Sequence, residues 1–244
     1  ELAKLLSDKI KPLYPDFKYI KFINKIDKET SDLELKNRVE VIADCFKEFL
    51  PDEYPDALDI LVNILGPENK NETGMFKEFY WIMPISLFVE KYGLEHFDIS
   101  IKAIEEITKR NTGEYAIRPF INKYPRKSLS IMNKWSKSKN YHLRRLASEG
   151  LRPRLPWSKK LTLFIDDPAP IMPILENLKS DPVLFVRKSV ANHLNDLLKD
   201  NYNFAIRVLK EWNKKPSKET KWIIKHALRN QIKKGNEESI KLIS

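Results

Sequence analysis

Two acidic residues and a tryptophan are the side chains best suited to chemistry in this sequence, namely Glu149, Asp196 and Trp157. A carboxylate can stabilise a developing positive charge and orient a water molecule, and an aromatic face can bind a cation. Each residue also has an ordinary structural interpretation. Glu149 could pair with Arg145 one helical turn earlier, and Asp196 could face solvent or pair with an arginine. Trp157 could fill a gap between neighbouring helices.

The backbone around Trp157 is restricted by two nearby prolines. Glu149 is followed by a glycine and then by the segment RPRLPW at 152–157, which contains Pro153 and Pro156. Proline stops a helix and favours extended backbone. We therefore expect a helix to end at Glu149 and Trp157 to hold a fixed position.

The basic helix before this segment occurs again later in the chain. Leu143–Glu149 aligns with Val186–Asn192 at a spacing of 43 residues, and Ile131–Trp135 aligns with 174–178 at the same spacing. A third, looser copy of the apolar, basic and small pattern is found at Ile224–Leu228. Units of roughly 40–47 residues built from two helices are typical of HEAT-like solenoids.

The composition also favours helices. Glycine occurs only 6 times in 244 residues, too rarely for the many tight hairpins of a large β protein. The sequence therefore predicts an all-α fold, an α-solenoid of HEAT-like repeats that forms one domain over residues 1–244. Within it we expect N-terminal helices over 1–66 and a repeat array carrying the site over 74–244.

The second copy of the repeated helix has clear start and packing signals. Asp181 followed by Pro182 predicts the helix start, because Asp can accept free backbone N–H groups and proline fits the first turn. Apolar residues then recur at helical spacing and predict a buried stripe, formed by Val186, Val190, Leu194 and Leu197.

A polar row lies on another side of this helix. Lys188, Asn192 and Asp196 are four residues apart and so share one face. The repeat alignment places Arg145 and Glu149 at the corresponding positions of the preceding copy. Adjacent repeats should therefore present neighbouring polar rows, which together predict a concave basic groove.

Positive charge is the second global property of the chain. There are 44 Lys and Arg against 34 Asp and Glu, which gives a formal net charge of +10 and a pI of about 9.4. Lysine-rich proteins can be basic for compositional reasons alone, but here the excess is concentrated in Lys123–Lys160, where Glu149 is the only acid. A concentrated basic surface favours a polyanionic partner.

The sequence does not favour disulfide bonds, metal binding or insertion into a membrane. The single Cys45 cannot form an internal disulfide or a CxxC metal pair, and it suits a reducing cytosol. The four histidines are scattered without ligand spacing, so we predict no metal site. The longest apolar run, Tyr80–Val89, contains Pro84 and is about half the length of a membrane span, so we predict no membrane contact.

Three separated motifs carry a resemblance to a known family. They are EYAIRPFI at 114–121, RRLASEGLRPRLPW at 144–157 and DPVLFVRKSVANHLNDLLKD at 181–200. Together they resemble the AlkC branch of the HEAT-repeat DNA alkylation-repair glycosylases. The resemblance implies a hydrolase that excises N3-methyladenine and N3-methylcytosine from duplex DNA by cleaving the N-glycosidic bond.

The resemblance also implies a set of catalytic residues. The family's acidic positions fall on Glu114, Glu149 and Asp196, and its aromatic position falls on Trp157. No metal, cofactor or catalytic lysine is implied, so the enzyme would be monofunctional and leave an abasic site in an uncut strand. Some AlkC members carry an immunoglobulin-like domain after the helical array, and we expect none in this chain.

We expect basic and polar residues of adjacent repeats to contact DNA. These are Arg118, Arg144, Arg145, Arg152, Arg154, Lys159, Arg187, Lys188, Asn192 and Arg229. The expected partner is duplex DNA containing alkylated bases, bound by a monomer in the bacterial cytosol and therefore associated with the nucleoid.

Two other functions are compatible with the same fold and charge. A non-catalytic HEAT-repeat binder of bent or branched DNA would need the basic surface but not the acidic set. A HEAT scaffold for acidic proteins would need neither the acids nor Trp157, and would bind DNA weakly once salt is raised. The presence of Glu114, Glu149 and Asp196 favours the glycosylase over both.

Overall fold

The computed structural model describes residues 1–72 and 78–243, and within these ranges the chain is helical and contains no strand. The predicted all-α fold is confirmed. The first residues of the predicted repeat array, 74–77, and its last residue, 244, lie outside the described ranges. The chain divides into two compact units, Glu1–Phe120 and Ile121–Ser244.

The first unit is built mainly from six helices. They are α1 (Leu2–Ile10), α2 (Tyr19–Thr30), α3 (Leu35–Phe49), α4 (Tyr54–Asn63), α5 (Met83–Tyr92) and α6 (Phe97–Thr108). Helix α7 (Ile117–Lys123) begins in this unit and ends in the second, and a short 3-10 turn, Tyr80–Ile82, precedes α5.

Aromatic rings connect the helices of the first unit. Phe22 on α2 lies 6.0 Å from Phe46 on α3, and Phe46 lies 6.4 Å from Phe88 on α5, measured between ring centroids. Tyr54, at the start of α4, stacks on Phe88 at 5.6 Å. These contacts bury the apolar face of each helix, which is the main source of stability for amphipathic helices of this length.

The second unit consists of helix pairs. Its helices are α8 (Pro125–Trp135), α9 (Tyr141–Glu149), α10 (Thr162–Asp166), α11 (Met172–Leu178), α12 (Leu184–Asp200), α13 (Tyr202–Trp212), α14 (Lys218–Lys233) and α15 (Glu237–Ile243), with a 3-10 turn at Ala169–Ile171. Helix α8 packs on α9, α11 on α12, and α12 on both α9 and α14. The second helices of three successive pairs, α9, α12 and α14, therefore lie side by side.

The repeat spacing found in the sequence reappears as contacts between neighbouring pairs. The Asn177 side-chain amide donates to Oδ1 of Asn133 at 2.9 Å, and Nδ1 of His193 lies 3.1 Å from the carbonyl oxygen of Ser148. The sequence separations are 44 and 45 residues, close to one repeat. Equivalent faces of consecutive helix pairs are thus in direct contact, as repeat architectures require.

Helix α12 begins later than the predicted Asp181 start. Its first residue is Leu184, and the N-cap is Val183, whose side chain cannot accept a hydrogen bond. Asp181 instead accepts the backbone N–H of Val183 at 2.9 Å in the turn before the helix. The Asp181 carboxylate therefore stabilises the turn before the helix and also binds Arg144, so it does not cap α12.

The polar row of α12 is only partly a surface feature. The predicted stripe of Val186, Val190, Leu194 and Leu197 is fully buried. Along the polar row, Lys188 is exposed, Asn192 is half-buried and Asp196 is buried. Burial of the row increases toward the C-terminal end of α12, because α9 and α14 pack on either side of the helix. Buried polar side chains there need hydrogen-bonding partners.

Candidate functional site

The centre of the candidate site is a buried cluster in which Arg152 joins Glu149 to Asp196. Its Nη1 atom donates a hydrogen bond to Oε1 of Glu149 at 2.6 Å, and its Nε atom donates to Oδ2 of Asp196 at 2.9 Å. Glu149 ends α9 and Asp196 lies in α12, so the carboxylates come from neighbouring repeats. The structure therefore brings together two of the four predicted catalytic residues.

Positive neighbours control the ionisation of Glu149. Burial raises the pKa of this carboxyl group, but the guanidinium groups of Arg145 and Arg152 outweigh burial and hold the pKa below its ordinary value. Nη2 of Arg145 lies 3.8 Å from Oε1 of Glu149. The carboxylate is thus ionised at neutral pH, which suits it to stabilising a cation more than to abstracting a proton.

Each carboxylate of the cluster has a second cationic neighbour besides Arg152. Glu149 has Arg145, and Nζ of Lys199 lies 3.3 Å from Oδ1 of Asp196, although the Lys199 side chain is exposed and water weakens that pairing. Glu149 is 6% exposed and Asp196 is 2% exposed, so both carboxylates are buried and depend on these partners.

A closed loop after α9 holds Trp157. The backbone N–H of Leu161 donates to the carbonyl oxygen of Pro153 at 3.1 Å, and Leu155 and Leu161 are both buried. Trp157 itself is 65% exposed and has a φ of 64°, in the left-handed region that residues with a β-carbon rarely adopt. The indole is therefore presented to solvent, and it does not fill a gap between helices.

The fourth predicted catalytic residue, Glu114, belongs to the first unit. It is buried, and its Oε2 accepts a hydrogen bond from the Thr112 hydroxyl at 2.8 Å. The same hydroxyl oxygen accepts the backbone N–H of Glu114 at 3.2 Å. Arg118, a predicted DNA contact four residues later, is also buried. Its charge acts on Glu90, whose pKa is raised by burial and only partly lowered again by Arg118.

Two predicted DNA-binding arginines form ion pairs between repeats. Arg144 binds Asp181 through Nε at 2.6 Å and through Nη2 at 3.2 Å. Arg154 binds Asp200 through Nε at 2.7 Å and through Nη2 at 2.5 Å. A phosphate approaching either guanidinium would have to compete with a carboxylate already bound in a two-point geometry.

Two further arginines lie over aromatic rings of the next repeat. The guanidinium carbon of Arg145 lies 4.7 Å from the ring centroid of Phe185, and that of Arg187 lies 5.8 Å from the ring of Trp222. Such contacts hold a planar guanidinium in place without neutralising its charge. Both side chains are half-buried, and Arg145 also lies 3.8 Å from the carboxylate of Glu149.

The remaining predicted contacts are polar and lie on three elements. Lys159 and Lys188 are exposed, and Nη2 of Arg229 donates to Oδ1 of Asn192 at 2.9 Å, which joins α14 to α12. Burial lowers the pKa of His226, and the charges of Arg229 and Lys188 lower it further. Arg229 and Lys188 are thus the two cations that act on His226, and burial is the larger cause of its lowered pKa.

The residues that sequence reasoning missed are the partners of the arginines, namely Asp181, Asp200, Phe185 and Trp222. A signal was present for Asp200, because Arg154 and Asp200 are 46 residues apart, close to one repeat. Asp181 lies 37 residues from Arg144, so the repeat spacing gives no such signal for it.

Two other features, a metal-binding group and a membrane-spanning helix, are absent from the described residues. Within residues 1–72 and 78–243, no three histidine, cysteine, aspartate or glutamate side chains are grouped as a metal ion would require. Within the same part of the chain, no helix combines the length and the apolar character needed to cross a membrane.

Comparison with known proteins identifies a matching family. The model of a family described as DNA alkylation repair enzyme matches residues 89–230. The uncharacterized protein YhaZ of Bacillus subtilis is 40% identical over 243 residues, which is 99% of this chain and 65% of that protein.

A solved structure is similar over the whole chain. It is that of the alkylpurine DNA glycosylase AlkC from Pseudomonas fluorescens, bound to DNA that contains an abasic site analog, with 33% identity and a TM-score of 0.88. The match covers 100% of this chain and 66% of AlkC. The chain thus spans about two thirds of the length of both relatives.

Proposed function

Because the chain belongs to the DNA alkylation repair enzyme family and is of its AlkC type, we propose that it is a DNA glycosylase acting on N3-alkylated bases. The proposed substrates are N3-methyladenine and N3-methylcytosine in duplex DNA, and the reaction is hydrolysis of the N-glycosidic bond. The proposed catalytic residues Glu114, Glu149, Trp157 and Asp196 all lie within residues 89–230, the range matched by the family model.

The chemistry of these lesions explains why such a site needs no strong acid. Alkylation at N3 places a positive charge on the base, so the C1′–N bond breaks with both electrons moving to the base, which leaves neutral. The deoxyribose then carries positive charge until water adds to C1′ and loses a proton. The main task of the protein is therefore to stabilise a cationic sugar and to orient one water molecule.

The single observation that carries the proposal is the pair of carboxylates held by Arg152. Glu149 is kept ionised by Arg145 and Arg152, and Asp196 is fixed from the neighbouring repeat. A preorganised negative charge needs no rearrangement when the sugar becomes cationic, which makes it an effective catalyst. With no catalytic lysine proposed, we expect the product to be an abasic site in an uncut strand.

Trp157 supplies the second proposed element. Its exposed indole offers an aromatic face that can hold a cationic base or sugar. The loop that holds it is closed by the contact between Leu161 and Pro153, so the ring is presented with little loss of freedom on binding.

The proposed partner is duplex DNA, and its phosphates would be met by cations of the repeats. Lys159 and Lys188 are exposed, and the guanidinium groups of Arg145 and Arg187 are held over aromatic rings. Contacts of this kind position a duplex and do not select a sequence. Selectivity would then come from the intrinsic lability of the alkylated base.

The direct test is incubation with methylated duplex DNA followed by chromatography of the released bases. Release of N3-methyladenine or N3-methylcytosine, with strand cleavage appearing only after alkali treatment, is the expected result. Binding of the duplex with no base released above the spontaneous rate would overturn the glycosylase and leave a non-catalytic DNA binder.

A further inference from the structure

Arg152 differs from the other inter-repeat arginines in the way it uses its nitrogens. Arg154 directs Nε and Nη2 at one carboxylate, that of Asp200. Arg152 directs Nε at Asp196 and Nη1 at Glu149, so two different edges of one planar group bind two different carboxylates. The spacing and the angle between the two acids are therefore fixed by a rigid group.

The position of Arg152 in the chain supports this function. It lies three residues after the end of α9 and is 8% exposed, which leaves little of its surface for a phosphate. The next residue is Pro153, whose carbonyl closes the Trp157 loop, and Arg154 anchors that loop to α12. The guanidinium thus lies where the helix, the loop and the neighbouring repeat meet.

On the basis of the proposed glycosylase function, we propose that Arg152 is a positioning residue, which holds the carboxylates of Glu149 and Asp196 in one fixed arrangement toward the sugar. This replaces its interpretation as a phosphate contact. Without Arg152, the two buried acids would lose the one group that bonds both of them, and each would keep only its other neighbour, Arg145 for Glu149 and Lys199 for Asp196. Each would be free to rotate or to take up a proton.

Ionisation provides a readout that a purely structural contact would not alter. The groups whose charges or dipoles act on Glu149 are Arg145 from α9, Arg152 from the loop and Ser189 from α12. Removing one of the two guanidinium groups raises the pKa of Glu149, and the loss of activity on acidification then begins at higher pH.

The experiment measures single-turnover base release from methylated duplex DNA as a function of pH for the wild type, Arg152→Met and Arg152→Lys. We expect Arg152→Met to lower the rate at neutral pH by about 10²-fold, the effect of misplacing a catalytic group by about 1 Å. The fall in its activity at low pH, the acid limb of the profile, should begin at higher pH than in the wild type. Arg152→Lys should restore the acid limb but not the rate, because an ammonium group lacks the planar edges of a guanidinium.

Asn195→Ala is the matched control. Asn195 is buried on α12 beside Asp196, and its amide donates to the carbonyl oxygen of Ala227 at 2.7 Å, so the variant removes an inter-repeat contact without touching either acid. It should lower the melting temperature and leave the pH profile of the folded enzyme unchanged.

The outcomes separate this inference from the proposed function. An inactive wild type would contradict the glycosylase itself. An active wild type, with Arg152→Lys or Arg152→Met showing the wild-type rate and acid limb, would overturn the positioning function alone. A loss of DNA affinity with a smaller salt dependence, and no change in the rate at saturation, would show a phosphate contact and would also overturn it.

Discussion

At the scale of single residues, Trp157 has a left-handed backbone conformation that costs conformational energy, and burial of its side chain does not offset that cost. Its φ of 64° disfavours any side chain with a β-carbon, and 65% of the residue faces solvent. An exposed residue held in a strained conformation often serves binding rather than stability. This combination supports the proposed binding function of the indole.

Replacing Trp157 by glycine or by alanine separates strain from function. Both changes remove the ring, so both should lower base release, but only glycine adopts this φ without penalty. We expect Trp157→Gly to unfold with a free energy about 1 kcal/mol higher than Trp157→Ala, measured by urea denaturation. Trp157→Phe, which keeps an aromatic face, is the control for activity. Full activity in the glycine variant would remove the ring from the mechanism.

The lowered pKa of Glu149 also predicts how stability depends on pH. The folded pKa lies below the ordinary value of 4.5, so the ionised group contributes stability above that value and loses it as the pH falls through the folded pKa. Glu149→Gln should therefore narrow the difference in unfolding free energy between neutral and acidic solution. Denaturation curves at several pH values test this, and an identical pH dependence in both proteins would contradict it.

The sequence predicted some of these residues and missed the reason for their arrangement. Repeat alignment indicated Glu149, and the helical row indicated Asp196, because both signals are local. The bridging position of Arg152 depends on which side chains meet after α12 packs on α9. A basic residue beside a proline gives no sign of that, and Arg152 was predicted from the sequence as a DNA contact.

At the scale of helices, charged pairs between repeats fix α12 against α9. Arg144 binds Asp181, Arg152 binds Asp196 and Arg154 binds Asp200, all across the same boundary. Apolar burial alone would allow neighbouring helices to slide, whereas buried polar pairs have a single satisfied arrangement. The register of the two repeats, and hence the spacing of the two acids, follows from these pairs.

The pair at the start of α12 is the best place to measure this effect. Asp181 is buried, and Arg144→Ala leaves its carboxylate without the bidentate partner, so we expect a loss of about 3 kcal/mol in unfolding free energy. Lys139→Ala, at an exposed position in the preceding turn, should change it by less than about 0.5 kcal/mol.

A double variant completes the measurement. Arg144→Ala combined with Asp181→Asn should be less destabilised than the two single changes predict when added, since the unpaired buried charge is gone. Strict additivity would mean that the two side chains do not interact energetically.

At the scale of the whole molecule, the net charge of +10 predicts binding governed by phosphates. The logarithm of the affinity for duplex DNA should fall linearly with the logarithm of the salt concentration, with little dependence on sequence. Lys188→Ala, which removes an exposed cation of α12, should reduce the slope by about one. Lys214→Ala is the control, because it removes an exposed lysine that lies just after α13 and is not among the predicted DNA contacts. Equal effects of both changes would mean that only diffuse charge matters.

The helical class of the fold could be predicted from the sequence, and its details only in part. Scarce glycine and a period of 43 residues predicted helix pairs, and residues 121–243 contain three pairs in the expected order. The start of α12 was misplaced because Asp181 serves an ion pair and a turn. The division of the chain at Phe120 has no marker such as a glycine-rich linker, so composition could not show it.

The measurement that tests the central claim most directly is single-turnover release of N3-methyladenine from one defined duplex by Glu149→Gln and Asp196→Asn. The amides keep the size of the side chains and remove the charge, so we expect each rate to fall about 10²-fold while DNA affinity stays the same or rises. Circular dichroism should confirm that both variants are folded. Wild-type rates in both would show that the paired carboxylates do not stabilise the sugar cation, and would leave Glu114 as the remaining acid to test.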